Sequence, residues 1–244
     1  MGTELADLAA RFADAERQIR DLVARAPAGD RRTLLTRALA ILAELTRQIA
    51  AAAIIGVEVA YAVAVGAAQL LTGRPVVLPD PAPVTALGGG LARRLTQAVR
   101  TAETNTREAI RTVTPVTIDA AADHAVTTPS GPREIDMLLG TLAEIQTTMI
   151  AERATSTGTR HGLGPDGLVR ISTHGTINPI CRPIEGRIVR ADGDLPPYHA
   201  HCGHTAIPAG HTADDHARAL RNVRGEHLRQ WYVDRYERQR RTAA

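Results

Sequence analysis

Between Gln48 and Thr72 the only charged residue is Glu58. A run of that length must hide from water, either in the middle of a helical fold or in a bilayer. Much of it is Ala and Gly, which are only weakly apolar, and a glutamate at mid-depth would be costly in hydrocarbon. The run is therefore read as part of a long, central, buried helix from about Arg31 to Leu71, with no membrane as partner. Gly56 and Gly66 are the places where such a helix would bend.

What can pack around that helix is limited by composition. The chain has 244 residues, 44% of them hydrophobic, yet contains one Phe, one Trp and four Tyr. The length suits one or two domains, and the core must be built from Ala, Leu, Ile and Val. Alanine at this density favours closely packed helices over an aromatic-rich β-sandwich. All 29 of the Lys and Arg residues are arginine. Without lysine there is neither a Schiff-base residue nor a P-loop lysine, which removes PLP enzymes and Walker-type NTPases. Two cysteines are too few for a disulfide scaffold, and the N-terminal residues lack a signal-peptide profile. Synthesis in a reducing compartment is the expectation.

Periodicity and breakers divide the chain into an α+β, mostly α-helical fold. A helical body is expected over 1–157, a small β-rich Cys/His module over 158–210, and a basic C-terminal helix over 211–244. Leu5, Leu8, Phe12, Ile19 and Leu22 form the apolar stripe of a helix over 4–25. Pro79, Pro81 and Pro83 read as a loop, and Gly88-Gly89-Gly90 as a turn before a helix from Leu91 to Val113. A short helix near 119–126 and another from Glu134 to about Thr155 complete the body. Short β-like runs follow at 168–171, 187–190 and 205–207. A module this small has little core of its own, so a metal or the helical body must support it. Thr212 is a candidate N-cap for the last helix.

Seven of the nine histidines and both cysteines lie after residue 173. Cys181 belongs to one knuckle-like turn; His199, Cys202 and His204 belong to a second. Together these four make a closed Cys₂His₂ shell of the kind that holds a structural Zn²⁺. His201 is a spare that could replace His199 or His204. By spacing alone the same residues suit buried cysteines, a disulfide and ordinary surface histidines equally well. A catalytic site would need an open coordination position and a general base, for which Glu185 is the only acidic candidate close by in sequence.

The ordered pieces Cys181, Ile184-Glu185-Gly186 and Pro196-Pro197-Tyr198-His199-Ala200-His201-Cys202-Gly203-His204 resemble the phage Mu F-like head morphogenesis (minor capsid) proteins. The preceding Ala151-Glu152-Arg153-Ala154-Thr155 and Gly158 resemble the helix and glycine that lead into that family's motif. The likeness spans about residues 150–208. The chain departs from the pattern at Ile184, where many members have a second cysteine, at Gly203 in place of arginine, and at His204 in place of the final cysteine.

The resemblance implies a non-enzymatic phage or prophage protein, associated with the portal and other capsid proteins. It would assist procapsid assembly, DNA packaging or ejection, residing in the virion after assembly in the host cytoplasm. The alternative is a zinc- or histidine-dependent nuclease acting on phage or host DNA. The C-terminal arginines Arg218, Arg221, Arg224, Arg229, Arg235, Arg238, Arg240 and Arg241 are the candidate partner contacts. They could neutralise double-stranded DNA phosphates independently of sequence, dock on an acidic portal surface, or form a solvated face.

Overall fold

The computed structural model describes residues 3–25, 31–77, 79–112, 132–173, 179–199, 202 and 204–223. In chain order they form α1 (Thr3–Arg25), α2 (Arg31–Leu71), α3 (Ala82–Thr112), α4 (Pro132–Leu163), β1 (Leu168–Thr173), a 3₁₀ turn (Pro179–Ile184), β2 (Ile188–Arg190), β3 (His204–Pro208) and a helix over 213–223, here α5. The chain is thus α+β and mostly helical. The helix expected near 119–126 lies outside the described residues.

Two compact units share the long helices. One comprises Glu4–Ala53 with the described part of Gly89–Thr147. Its interior is aliphatic, as the composition requires: Leu5, Leu8, Phe12 and Ile19 of α1, Leu42 and Ile49 of α2, Leu91, Leu95 and Val99 of α3, and Leu139 and Ala143 of α4 are buried. The buried Glu16 carboxylate accepts a hydrogen bond from the Gly140 N–H at 2.8 Å and faces Arg20 at 3.6 Å, so its charge is compensated.

The other unit comprises Ile54–Gly88 with the described part of Thr148–Ala244. Here α2 is buried continuously from Gly56 to Ala68. Arg32–Leu71 is long and apolar enough to cross a membrane, but 72% of its most apolar window is buried inside the protein. Glu58 is 1% exposed and accepts a hydrogen bond from the Thr85 hydroxyl at 3.1 Å. One side of α2 meets α5, with Val59, Ala62, Val63 and Ala67 against Ala219 and Val223. Gly66 permits that approach, since a Cβ there would lie 2.8 Å from Val223.

On another side α4 closes on α2 almost backbone to backbone. A Cβ on Gly158 would sit 2.4 Å from the Tyr61 carbonyl oxygen, and one on Gly162 would sit 2.6 Å from that of Val65. Ala64 and Ala68 face the same two glycines. The pairing of small residues four apart on both helices sets the crossing. Beside it the Tyr61 and His161 rings meet edge to face, with Tyr61 Oη 2.5 Å from His161 Nδ1.

Two helix boundaries differ from expectation. Helix α3 starts at Ala82, before the Gly88-Gly89-Gly90 run rather than after it. The Asp80 carboxylate accepts a hydrogen bond from the Ala82 N–H at 3.0 Å, and Pro83 falls in the first turn, where no N–H is needed. Helix α4 continues past Thr155 to Leu163, through Ser156, Thr157 and Gly158. Low intrinsic propensity there is overridden by the α2 contact.

The sheet has the order β2-β1-β3, antiparallel throughout. Gly164, at φ +76°, ends α4 and turns the chain toward β1. Val169 and Ile171 of β1 and Ala206 of β3 then pack with Ala68 and Leu163 of the helices and with Ala191. The module leans on α2 and α4 for its core.

Paired glycine substitutions test the α2–α4 crossing. Gly158→Ala should lower the melting temperature, because overpacking a tight contact costs about 1–3 kcal/mol. Gly90→Ala should raise it, because a Cβ there meets nothing within 4 Å and helical alanine gains up to about 1 kcal/mol. Opposite signs in thermal denaturation are the expected result.

Glu152, on the same stretch of α4, has its carboxyl pushed up to about 7 by burial. The folded state therefore holds a proton that the unfolded chain has released, so stability is full below about pH 4 and declines as pH rises through about 7. Glu152→Gln should flatten that decline in denaturant titrations compared at acidic and mildly alkaline pH.

Candidate metal centre

The first contributor is the 3₁₀ turn. It carries Cys181 and ends in Glu185-Gly186, with Gly186 at φ +76°. That turn is fastened to β1 on both sides: the Gly186 N–H donates to the Ile171 carbonyl at 2.8 Å, and the Ile171 N–H donates to the Arg187 carbonyl at 2.9 Å. The second contributor is the loop between β2 and β3. Arg160 of α4 grips its start, donating to the carbonyls of Ala191 and Gly193 at 2.6 Å each. The Tyr198 hydroxyl donates to the Asp194 carbonyl, and the Cys202 N–H closes a turn onto the His199 carbonyl, both at 3.2 Å.

These anchors bring Cys181, His199 and Cys202 together, with their donor atoms all within 4.8 Å of one another. The group can hold a metal ion. Cys181 and Cys202 are buried and free, with no disulfide between them. Cys181 Sγ lies 2.7 Å from His199 Nε2. Ligands of one tetrahedral zinc would stand about 3.5 Å apart, so an ion entering here needs that edge to open by about 1 Å. Burial first, and then the neighbouring Cys202 sulfur, push the Cys181 thiol up.

His204, the fourth residue of the set expected from sequence, falls outside this group of three. Its Nδ1 is 4.0 Å from Cys202 Sγ, and its Nε2 is 2.8 Å from Glu185 Oε2. The two atoms stand close without an aligned hydrogen bond between them. The other Glu185 oxygen accepts a hydrogen bond from the Ser172 hydroxyl of β1 at 3.2 Å. The acidic residue considered as a general base is thus engaged by its neighbours. Sequence order had not singled out Ser172; the β1–β3 register, in which Ser172 faces Thr205 and Thr173 faces His204, brings it here. His201 lies outside the described residues.

Of the C-terminal arginines, Arg218 and Arg221 are exposed on α5; Arg224, Arg229, Arg235, Arg238, Arg240 and Arg241 lie outside the described residues. The expected cap of α5 is present and reciprocal. The Asp215 N–H donates to Thr212 Oγ1 at 3.1 Å, and the Thr212 N–H donates to the Asp215 carboxylate at 3.0 Å. That bonding holds the Asp215 carboxyl below its ordinary range.

Comparisons with family models, curated proteins and solved structures return no match for this chain.

Metal uptake should depend on pH with a defined sign. A ligand thiol must lose its proton to bind, and the Cys181 thiol is pushed up, so apparent affinity should rise by at least about tenfold per pH unit across the neutral range. Competition with a chromogenic chelator at several pH values measures the slope, and Cys202→Ser should abolish binding.

Proposed function

We propose that this chain is a head morphogenesis protein of the phage Mu F-like kind, with a zinc ion as the structural staple of its Cys/His module. The carrying observation is the convergence of Cys181, His199 and Cys202, which belong to the stretch that resembles that family. Two thiols and an imidazole are a donor set suited to Zn²⁺. A three-stranded module that borrows Ala68 and Leu163 for its core gains from such a cross-link. In this reading the protein acts by binding the portal and other capsid proteins during procapsid assembly and DNA packaging or ejection. The exposed Arg218 and Arg221 would, in this reading, meet acidic protein or DNA phosphates.

Deletion of the gene from an inducible phage tests this reading. Defective or empty heads are expected, together with co-purification of the protein with the portal and its presence in purified particles. Particles that assemble, package and infect normally without it would refute the assignment. Metal-dependent DNA cleavage lost in His199→Ala, with the fold intact, would replace it by a nuclease.

A further inference from the structure

The Glu185-Gly186 turn has a chemical task beyond turning the chain. Resting on the metal reading above, we propose that Glu185 is a positioning residue that makes His204 the fourth ligand of the metal bound by Cys181, His199 and Cys202. The geometry runs as a relay from β1 to the metal. The Ser172 hydroxyl donates to Glu185 Oε1, and Glu185 Oε2 faces His204 Nε2 at 2.8 Å. His204 Nδ1 in turn faces Cys202 Sγ at 4.0 Å.

A neutral imidazole carries one N–H and one lone pair. In the proposed metal-bound state the proton sits on Nε2, the ring turns enough to align that N–H with Glu185 Oε2, and Nδ1 keeps the lone pair on the side of the cysteine sulfur. Metal-bound histidines use this arrangement, in which the nitrogen away from the metal donates to a carboxylate that fixes the tautomer and raises ligand basicity. The separation of 4.0 Å is within about 0.5 Å of a tetrahedral sulfur–nitrogen edge, while His204 stands outside the group whose donors all lie within 4.8 Å of one another, so its ring must move inward on metal binding. His204 is 1% exposed, which leaves its ring little freedom to turn elsewhere. The Glu185 carboxylate is held by Ser172, and the backbone that carries it is fixed by the Gly186 N–H bonded to Ile171 and the left-handed φ of Gly186. The resulting site is closed, with four protein ligands and no position for a reacting water.

The test uses the full chain loaded with Co²⁺ or Zn²⁺. The unsubstituted protein should bind one equivalent and give the intense visible bands of tetrahedral Co²⁺ with two thiolates, unaffected by azide. Glu185→Gln should keep those bands but bind about tenfold more weakly in chelator competition, and Glu185→Ala up to about 100-fold more weakly. Their metal-free forms should stay folded, with melting temperatures lowered only by loss of the Ser172 and His204 contacts, and the affinity is compared between folded proteins. His204→Ala should lose band intensity and become sensitive to azide, because an open position has appeared. Metal bound with unchanged affinity and spectrum in the Glu185 and His204 variants would overturn the proposal while leaving the metal reading intact. An azide-sensitive unsubstituted protein would also overturn it, by showing an open site. Failure of that protein to take up metal would remove the metal reading itself.

Discussion

The contact between α2 and α4 at Gly158 and Gly162 is the constraint on which the rest of the described architecture around the site depends. Two helices can approach this closely only where one presents hydrogen in place of a side chain. With carbonyl oxygens of α2 at 2.4 and 2.6 Å from the missing Cβ positions, even alanine is too large. The close crossing fixes where α4 ends, and everything in the Cys/His module follows from that end. Arg74 donates to the Leu163 carbonyl at 3.1 Å, and Arg160 reaches across to hold Ala191 and Gly193. The last turn of α4 is therefore both the hinge point of the sheet and the clamp on the loop that delivers His199.

Those dependencies explain which parts were legible in the sequence. Helices α1 and α2 could be delimited because each carries its own local pattern: the apolar stripe from Leu5 to Leu22, and the nearly uncharged run from Gln48 to Thr72. The strands could be placed because Val169, Ile171 and Ile207 sit in short β-branched runs. The start of α3 and the end of α4 depart from local expectation because intrinsic propensity makes glycine and serine look like breakers. At Gly158 the relevant partner is the Tyr61 carbonyl, about a hundred residues away in sequence, and no local pattern carries that information.

The site was legible to the same degree and for the same reason. Residue type and spacing picked out Cys181, His199 and Cys202, since thiols and imidazoles on two tight turns are candidate ligands wherever those turns meet. Glu185 was visible as an acidic residue near the cysteine, which made it look like a general base. Its actual neighbours are set by a turn with φ +76° and by strand register, and both lie beyond a reading of spacing. The disulfide alternative, open at the level of sequence, gives way to two free thiols beside an imidazole.

The two supports of the module act on opposite ends of β1. Leu168 follows the end of α4 after a four-residue turn, and Val169 and Ile171 are packed on Leu163 and Ala68. Thr173, at the far end, pairs with His204, next to the Cys/His group. The helical packing reaches Ile171, two residues short of Thr173. At that end the polar residues Ser172, Glu185 and His204 lie together beside Ile171 and Ile184. Burying them is favourable only if they are mutually bonded and their charges compensated. The Cys181, His199 and Cys202 group lies at that end of β1, so the helix crossing and the Cys/His group sit toward opposite ends of one strand.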